Sequence, residues 1–158
     1  MDPIKEGYQE NDGWMDIKKV TVFIGNQGSG KSTVAKTISV LSWLEKAINR
    51  GDINRNLSFN EFVKHFQYQK IHNYFSKNTI ISYQGEKYHI LYDATFDYPV
   101  IEAVDNESYL VPKIMYVPAE RSFLSALNNA FELKELPGNI FDFAVELKNA
   151  QKQLSGKN

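Results

Sequence analysis

The 158-residue sequence predicts an α/β fold, and three consecutive features between Ile17 and Asn49 carry that prediction. Residues 17–24 are β-branched and apolar, which is typical of a buried strand. A glycine-rich turn follows over residues 25–30. From Lys31 to about Asn49 the apolar residues recur at helical spacing: Val34, Ile38, Leu41, Leu44 and Ile48. A strand, a loop and an amphipathic helix in this order are the usual start of an α/β domain.

The rest of the chain predicts more helices and an antiparallel β-region. The segment NRGD (49–52) ends the first helix with a glycine. A second helix is predicted over residues 58–75, because Ser58 and Glu61 have the spacing of a capping box and Phe59, Phe62, Phe66 and Tyr74 share one face. Alternating runs on either side of residues 84–87 indicate a hairpin, with further β-structure over 98–104 and 112–119. Helices are predicted over 122–136 and 140–154, separated by PGN at 137–139.

Composition excludes several classes of site and leaves a soluble protein as the expectation. There are no cysteines, so disulfides and cysteine nucleophiles are excluded. His65 and His72 lie in the second predicted helix but lack the carboxylate support of a stable metal site. The net charge of −1 shows no basic excess for gripping nucleic acid. No apolar run approaches a membrane span and no signal peptide is visible, so we expect a cytoplasmic protein without a membrane partner.

The turn itself matches a phosphate-binding loop. GNQGSGKS at 25–32 fits G-x-x-x-x-G-K-[ST], the Walker A pattern, at every fixed position. Glycines let backbone N–H groups surround a polyanion, and the following helix directs its N-terminus at the same phosphates. In this pattern Lys31 reaches the β- and γ-phosphates and Ser32 binds Mg²⁺. The predicted cofactors are ATP and Mg²⁺, and the predicted binding residues are Asn26, Gln27, Gly28, Ser29, Gly30, Lys31, Ser32 and Thr33.

Two segments together resemble one group of P-loop proteins. DIKKVTVFIGNQGSGKSTVAKTISVLSWLEKAINRG (16–51) and KIMYVPAERSFLSAL (113–127) are similar to ABC-type ATPases of the SMC, RecF and overcoming-lysogenisation-defect group. They are most similar to the bacterial ATPases associated with Septu and retron anti-phage defence. The resemblance implies an N-terminal α/β lobe with an antiparallel β-subdomain over residues 1–121 and the start of a helical lobe over 122–158. It also implies ATP-driven dimerisation that controls an effector, such as a nuclease, or a DNA transaction.

The family requires two further motifs that this sequence does not clearly provide. The signature motif is represented only by the tripeptide LSG at 154–156, and the Walker B strand only by HILYD, which ends at Asp93 inside the predicted hairpin. The resemblance places Glu120 and Arg121 near the γ-phosphate or Mg²⁺, and Glu120 joins Lys31 as a candidate catalytic residue. The alternatives for these two residues are an interlobe ion pair or a carboxylate at a helix N-terminus. We therefore expect a single, incomplete domain over 1–158 that binds ATP as half of a site, completed by a second copy or by a C-terminal ATPase lobe.

Two other functions remain open at the level of the sequence. The first is a small P-loop kinase that uses Asp93 as its Mg²⁺-side carboxylate, although the three arginines do not cluster as phosphate clamps usually do. The second is an interaction module that binds a nucleotide without hydrolysing it and recruits a partner through its conformation. Phosphate transfer to an acceptor would favour the kinase, and partner binding without turnover would favour the module.

Overall fold

The computed structural model describes residues 10–96, 98–117 and 138–155. These residues belong to two compact units, and the division between them along the chain falls after Lys31, within the glycine-rich motif. Each unit is described here by itself.

The described part of the first unit, from residue 10 onward, contains little regular structure. A short 3₁₀ turn spans Glu10–Gly13, and residues 14–26 form neither helix nor strand. Val20, Val22 and Ile24 are 80%, 72% and 92% exposed, so the predicted buried strand over residues 17–24 is wrong for this structure. A strand buried on both faces needs neighbouring strands and covering helices, and none of the described residues pairs with this segment.

The first long helix, α1, spans Lys31–Asn49 and confirms the helix predicted after the glycine-rich turn. It ends in a Schellman motif. Gly51 takes a positive φ of 77°, its N–H donates to the Ile48 carbonyl at 3.0 Å, and the Asp52 N–H donates to the Ala47 carbonyl at 2.9 Å. Both bonds satisfy carbonyls that the end of a helix would leave without partners. The glycine of NRGD therefore ends the helix as the sequence predicts.

The second helix, α2, spans Phe59–Tyr68 and is shorter than the predicted 58–75. Its start confirms the prediction, because Ser58 and Glu61 form both bonds of a capping box. Its end is again a Schellman motif, with Lys70 at a φ of 56° in the position that usually holds glycine. The N–H of Ile71 donates to the Phe66 carbonyl at 3.1 Å, and Ile71 is buried. Burial of Ile71 thus ends the helix before a 3₁₀ turn over His72–Tyr74.

Among the described residues the sheet has three antiparallel strands, β1 (Ile80–Gln84), β2 (Tyr88–Asp93) and β3 (Val100–Ala103), in the order β1-β2-β3. Ser82 lies opposite Leu91, and Leu91 lies opposite Val100. The Gly85 N–H donates to the Tyr88 carbonyl at 3.0 Å and closes the turn of the predicted hairpin, which is confirmed. The predicted β-structure at 98–104 is also found, whereas residues 112–117 form no strand and 118–119 lie outside the described residues.

An aromatic cluster joins the two helices to the inner face of the sheet. Phe62 and Phe66 of α2 are almost fully buried, with ring centroids 5.1 Å apart. Phe75 lies 4.9 Å from the Phe66 ring and 5.4 Å from the Tyr92 ring on β2, mostly in edge-to-face arrangements. Aromatic pairs in this geometry stabilise a core beyond their burial of apolar area. Helix α1 contributes Leu44 to the same core, whereas Tyr74, predicted on the shared face of α2, is half-exposed.

A buried carboxylate, Glu45 on α1, connects this helix to the hairpin. Glu45 is only 4% exposed. Its Oε1 accepts from the backbone N–H groups of Lys87 at 2.6 Å and Tyr88 at 3.1 Å, and its Oε2 accepts from the Tyr83 hydroxyl at 2.8 Å. A side chain at Gly85 would collide with this carboxylate. Glu45 therefore acts as a polar anchor for the β1–β2 turn inside an otherwise apolar interface.

The last helix, α3, spans Gly138–Ser155 and confirms the helix predicted over 140–154. The predicted break at PGN is displaced, since Gly138 and Asn139 already belong to the helix. The Tyr68 hydroxyl donates to Asp142, and Lys113 forms an ion pair with Glu146 at 2.6 Å. The helix predicted over 122–136 lies outside the described residues. In the described ranges, no helix has the length and apolar character needed to span a membrane.

Candidate functional site

The candidate site is the glycine-rich loop at residues 25–32. Asn26, Gln27, Gly28 and Ser29 form a turn in which the Ser29 N–H donates to the Asn26 carbonyl at 3.3 Å. Gly28 and Gly30 take φ values of 81° and 85°. This left-handed conformation is open to glycine at little cost and strained for other residues, so both glycines are required by the shape of the loop.

Lys31 folds back over the loop that precedes it. Its Nζ donates to the carbonyl oxygens of Gly25 at 2.8 Å and Asn26 at 2.6 Å, and to Ser29 Oγ at 3.1 Å. Three loop oxygens therefore surround the ammonium group, which has three hydrogens to donate. The loop thus places a positive charge among its own backbone atoms, where an anion entering the loop would meet it.

Gly25 is constrained by contact with the same group of atoms. A Cβ atom at this position would lie 2.8 Å from Ser29 Oγ, closer than real Cβ contacts. Any larger residue would displace the serine hydroxyl that contacts Lys31. A side chain at position 25 would therefore make the Ser29 hydroxyl turn away from its present contact with Lys31.

The loop is open to solvent. Residues 25–29 are exposed, and Gly30 and Lys31 are half-buried. A ligand could reach the loop backbone and the ammonium group without displacing a covering side chain from the described part of the first unit. Exposure also means that solvent competes with each polar contact, so binding requires several contacts made together.

Ser32 and Thr33, the remaining predicted binding residues, lie in the first turn of α1. Ser32 is exposed and Thr33 is half-buried. The first N–H groups of a helix have no partner within it, which favours a negatively charged ligand there. Across the described residues no group of three or more His, Asp or Glu side chains could hold a metal ion. The Ser32 hydroxyl is a suitable ligand for Mg²⁺ only together with phosphate oxygens and water.

Of the candidate carboxylates, Asp93 lies within the described residues. Glu120 and Arg121 lie outside the described residues. Asp93 ends β2, and its Oδ1 accepts from the Thr95 N–H at 2.9 Å and the Thr95 hydroxyl at 2.8 Å. These bonds lower the pKa of Asp93. Its carboxylate therefore stabilises the turn after the strand, which agrees with ordinary sheet structure at HILYD. Of the LSG tripeptide, Leu154 and Ser155 end α3 with Leu154 exposed, and Gly156 lies outside the described residues.

Sequence reasoning did not single out Trp43 or Gln69, which line a cavity in the second unit. The available signal was weak: Gln69 follows His65 by four residues, so the two side chains share a face of the predicted helix.

The chain matches no protein-family model, no curated protein and no solved structure.

Proposed function

We propose that the chain binds ATP through the loop at residues 25–32, with Lys31 contacting the β- and γ-phosphates and Ser32 holding Mg²⁺. One observation carries the proposal: the Lys31 ammonium is held by three oxygens of the glycine-rich loop that precedes it. These contacts hold the ammonium against the loop backbone, which is where the phosphates of a bound nucleotide would lie.

The contacts of Lys31 suggest how the loop accepts a phosphate. All three hydrogens of the ammonium are engaged, so a phosphate oxygen must replace one acceptor. The bond to Ser29 Oγ is the longest at 3.1 Å, and a hydroxyl can rotate away, whereas the two carbonyls are fixed in the backbone. Phosphate therefore replaces Ser29 Oγ, and the freed hydroxyl can donate to the phosphate in turn.

The test is the affinity of the purified chain for Mg²⁺–ATP, measured by titration calorimetry for the wild type and for Lys31→Ala. A hydrogen bond to a charged group contributes about 1.5–3 kcal/mol, so the variant should bind about 10- to 150-fold more weakly. Lys19→Ala is the matched control, because it removes the same charge from an exposed position in the same unit. If both variants lowered the affinity for Mg²⁺–ATP equally, Lys31 would contribute only its net charge, and the proposal would be contradicted.

The same proposal extends to a cycle of the ABC and SMC type, in which ATP pairs two copies and hydrolysis separates them to control an effector. Glu120 takes the catalytic role in this extension. Sedimentation of the wild type should show an ATP-dependent dimer that Lys31→Ala does not form. Glu120→Gln should keep the dimer and abolish ATP turnover. A monomer at saturating ATP would contradict this extension while leaving the binding proposal intact, and phosphate transfer to an acceptor would identify a kinase.

A further inference from the structure

Strand β1 lies at an edge of the three-stranded sheet. Among the described residues it pairs with β2 and with no other strand. Its residues 80, 82 and 84 are exposed, with Ile80 at 67%. An edge strand presents backbone N–H and C=O groups that can pair with another strand. No residue of β1 belongs to the glycine-rich loop, so this edge is a feature that the ATP proposal does not use.

The hydrogen bonds at both ends of β1 show which of its backbone groups are available. The Gly85 N–H donates to the Tyr88 carbonyl at 3.0 Å, and the Ala94 N–H donates to the Thr79 carbonyl at 3.0 Å. Bonded and non-bonded pairs alternate along an antiparallel ladder, so the odd-numbered residues from 79 to 85 bond to β2. The N–H and C=O groups of residues 80, 82 and 84 therefore point away from β2, and no described residue bonds to them.

The opposite edge of the sheet, β3, is a poorer template for an added strand. It has four residues, Pro99 directly precedes it, and Glu102 adds a charge. Short strands, prolines and charged side chains are the features with which proteins protect sheet edges. The five residues of β1, IISYQ, include neither a proline nor a charge. Of the two edges, β1 is therefore the one that is open to pairing.

The sequence of β1 suits an identical strand as its partner. Two copies can pair antiparallel about a two-fold axis, so that each contact occurs twice. With the axis at Ser82, this residue pairs with Ser82 of the second copy, and Ile80 pairs with Gln84 of the second copy. All outward N–H and C=O groups of β1 then gain partners. Ile81 lies opposite Tyr83 of the second copy, and such a pair of a β-branched and an aromatic residue stabilises a sheet.

The charged side chains that flank β1 favour this antiparallel arrangement. Lys77 precedes the strand, Glu86 follows it, and both are exposed. In an antiparallel pair the start of one strand lies beside the end of the other, so Lys77 lies near Glu86 of the second copy. The ammonium of Lys87 is already engaged, since it donates to the Asn106 carbonyl of its own chain at 3.1 Å. Charge complementarity therefore supports a second copy as the partner of this edge.

We infer that β1 pairs antiparallel with β1 of a second copy around Ser82, which joins two three-stranded sheets into one continuous sheet. The interface is the same surface on both copies and needs no nucleotide. Pairing through one short strand is a small interface of the transient kind, so the dimer forms at high protein concentration. The inference goes beyond the proposed function, because it concerns a different surface and a different cause of pairing.

Ser82→Cys tests the register of the pair directly. The chain has no cysteine, so this variant carries a single thiol, placed at the two-fold axis. Residues in a hydrogen-bonded antiparallel pair have Cα atoms about 5.5 Å apart, which a disulfide can bridge. Mild oxidation should therefore give a disulfide-linked dimer on a non-reducing gel.

Gln84→Cys is the matched control, because it places an exposed thiol on the same strand away from the axis. Two copies of residue 84 lie four residues apart along the paired strands, about 14 Å, which a disulfide cannot bridge. Gln84→Cys alone should therefore stay monomeric, whereas its mixture with Ile80→Cys should cross-link. Failure of Ser82→Cys to cross-link, or equal cross-linking by Gln84→Cys alone, would overturn the inference.

Sedimentation equilibrium measures the dimer without a cross-link. Ser82→Pro removes an outward N–H and leaves the bonds to β2 intact, and proline is tolerated on edge strands in this position. Two bonds between the copies are lost, so the dissociation constant should rise at least about tenfold. Ser82→Lys places like charges on both sides of the axis and should weaken the dimer less as salt is added. A wild type that is monomeric at about 1 mM, or an unchanged dissociation constant in Ser82→Lys, would overturn the inference even if Ser82→Pro fails to fold.

Lys31→Ala separates this interface from the ATP-driven dimer of the proposed function. The disulfide of Ser82→Cys should form equally without nucleotide and in the Lys31→Ala background. In Ser82→Pro, ATP should still pair two copies, since the glycine-rich loop is unchanged. If Lys31→Ala abolishes the disulfide, the copies meet through the loop and the β1 interface is refuted. If Lys31→Ala keeps the disulfide and binds Mg²⁺–ATP normally, the ATP proposal fails while the β1 interface stands.

Discussion

Replacing Glu45 with alanine should lower the free energy of unfolding by about 3–5 kcal/mol. Glu45 accepts three hydrogen bonds at 4% exposure, two of them from backbone N–H groups of the hairpin turn. Each buried donor left without a partner costs about 1–3 kcal/mol. The third donor, the Tyr83 hydroxyl, loses less because Ser42 Oγ lies 3.4 Å from it and can serve as a substitute. The two amides therefore dominate the loss.

Urea unfolding followed by far-UV circular dichroism measures this change through linear extrapolation. Glu45→Gln should cost less than alanine, because its carbonyl oxygen can still accept from the two amides. Glu86→Ala removes a carboxylate from the same hairpin at an exposed position and should change stability by less than about 0.5 kcal/mol. A loss under about 1 kcal/mol for Glu45→Ala, or equal losses for the alanine and glutamine variants, would refute the anchoring role.

Three other substitutions test local features of the second unit. Lys70→Gly should raise the free energy of unfolding by about 0.5–1 kcal/mol in urea titrations, since Lys70 occupies a left-handed conformation; a loss of stability would contradict this. Ser58→Ala should cost about 1 kcal/mol through loss of the capping box, and an unchanged urea midpoint would show that the box contributes nothing. Burial, followed by the charge of Lys64, lowers the pKa of His65 below its unfolded value of 6.5. The contribution of the neutral ring to the free energy of unfolding is therefore complete above pH 6.5, and it is lost as the pH falls through the folded pKa. The free energy of unfolding, measured between pH 7.5 and 5, should therefore fall less in His65→Gln than in the wild type. The control His89→Gln, at an exposed position, should follow the wild type. Equal pH slopes of stability in the wild type and His65→Gln would refute the assignment.

Elements with strong local signals could be predicted from the sequence. The end of α1 follows from the glycine at 51, the start of α2 from Ser58 and Glu61, and the hairpin from alternation around residues 84–87. In each case the determining interactions connect residues a few positions apart. Local patterns contain the information for such contacts.

Elements that depend on distant contacts were predicted less well. The run at 17–24 has the composition of a strand, but composition does not supply a partner strand, and the segment is exposed. The early end of α2 depends on the burial of Ile71 against the core, which outweighs the strain at Lys70. Helical periodicity alone could not reveal this, because tertiary packing overrides weak local preferences.

In the candidate site, too, local features could be predicted from the sequence and contacts between distant residues could not. The residue types of the glycine-rich loop follow from the motif, whereas the contacts of Lys31 with the loop oxygens are visible only in the structure. Glu45 was not predicted because a glutamate on a helix is usually solvated, and only the fold brings it to the hairpin amides. Gln69 was missed for a related reason, since a glutamine is usually exposed and its burial is not visible in the sequence.

The contact between Glu45 and Gly85 also constrains how this sequence can diverge. Gly85 has no space for a side chain because the Glu45 carboxylate occupies it. A substitution at either position alone would leave a clash or unpaired turn amides, so selection should act on the two positions as a pair. Among descendants of this sequence, a larger residue at position 85 should appear together with a shorter one at position 45. Positions 45 and 85 would then covary, which would reveal the contact between helix α1 and the hairpin from sequences alone.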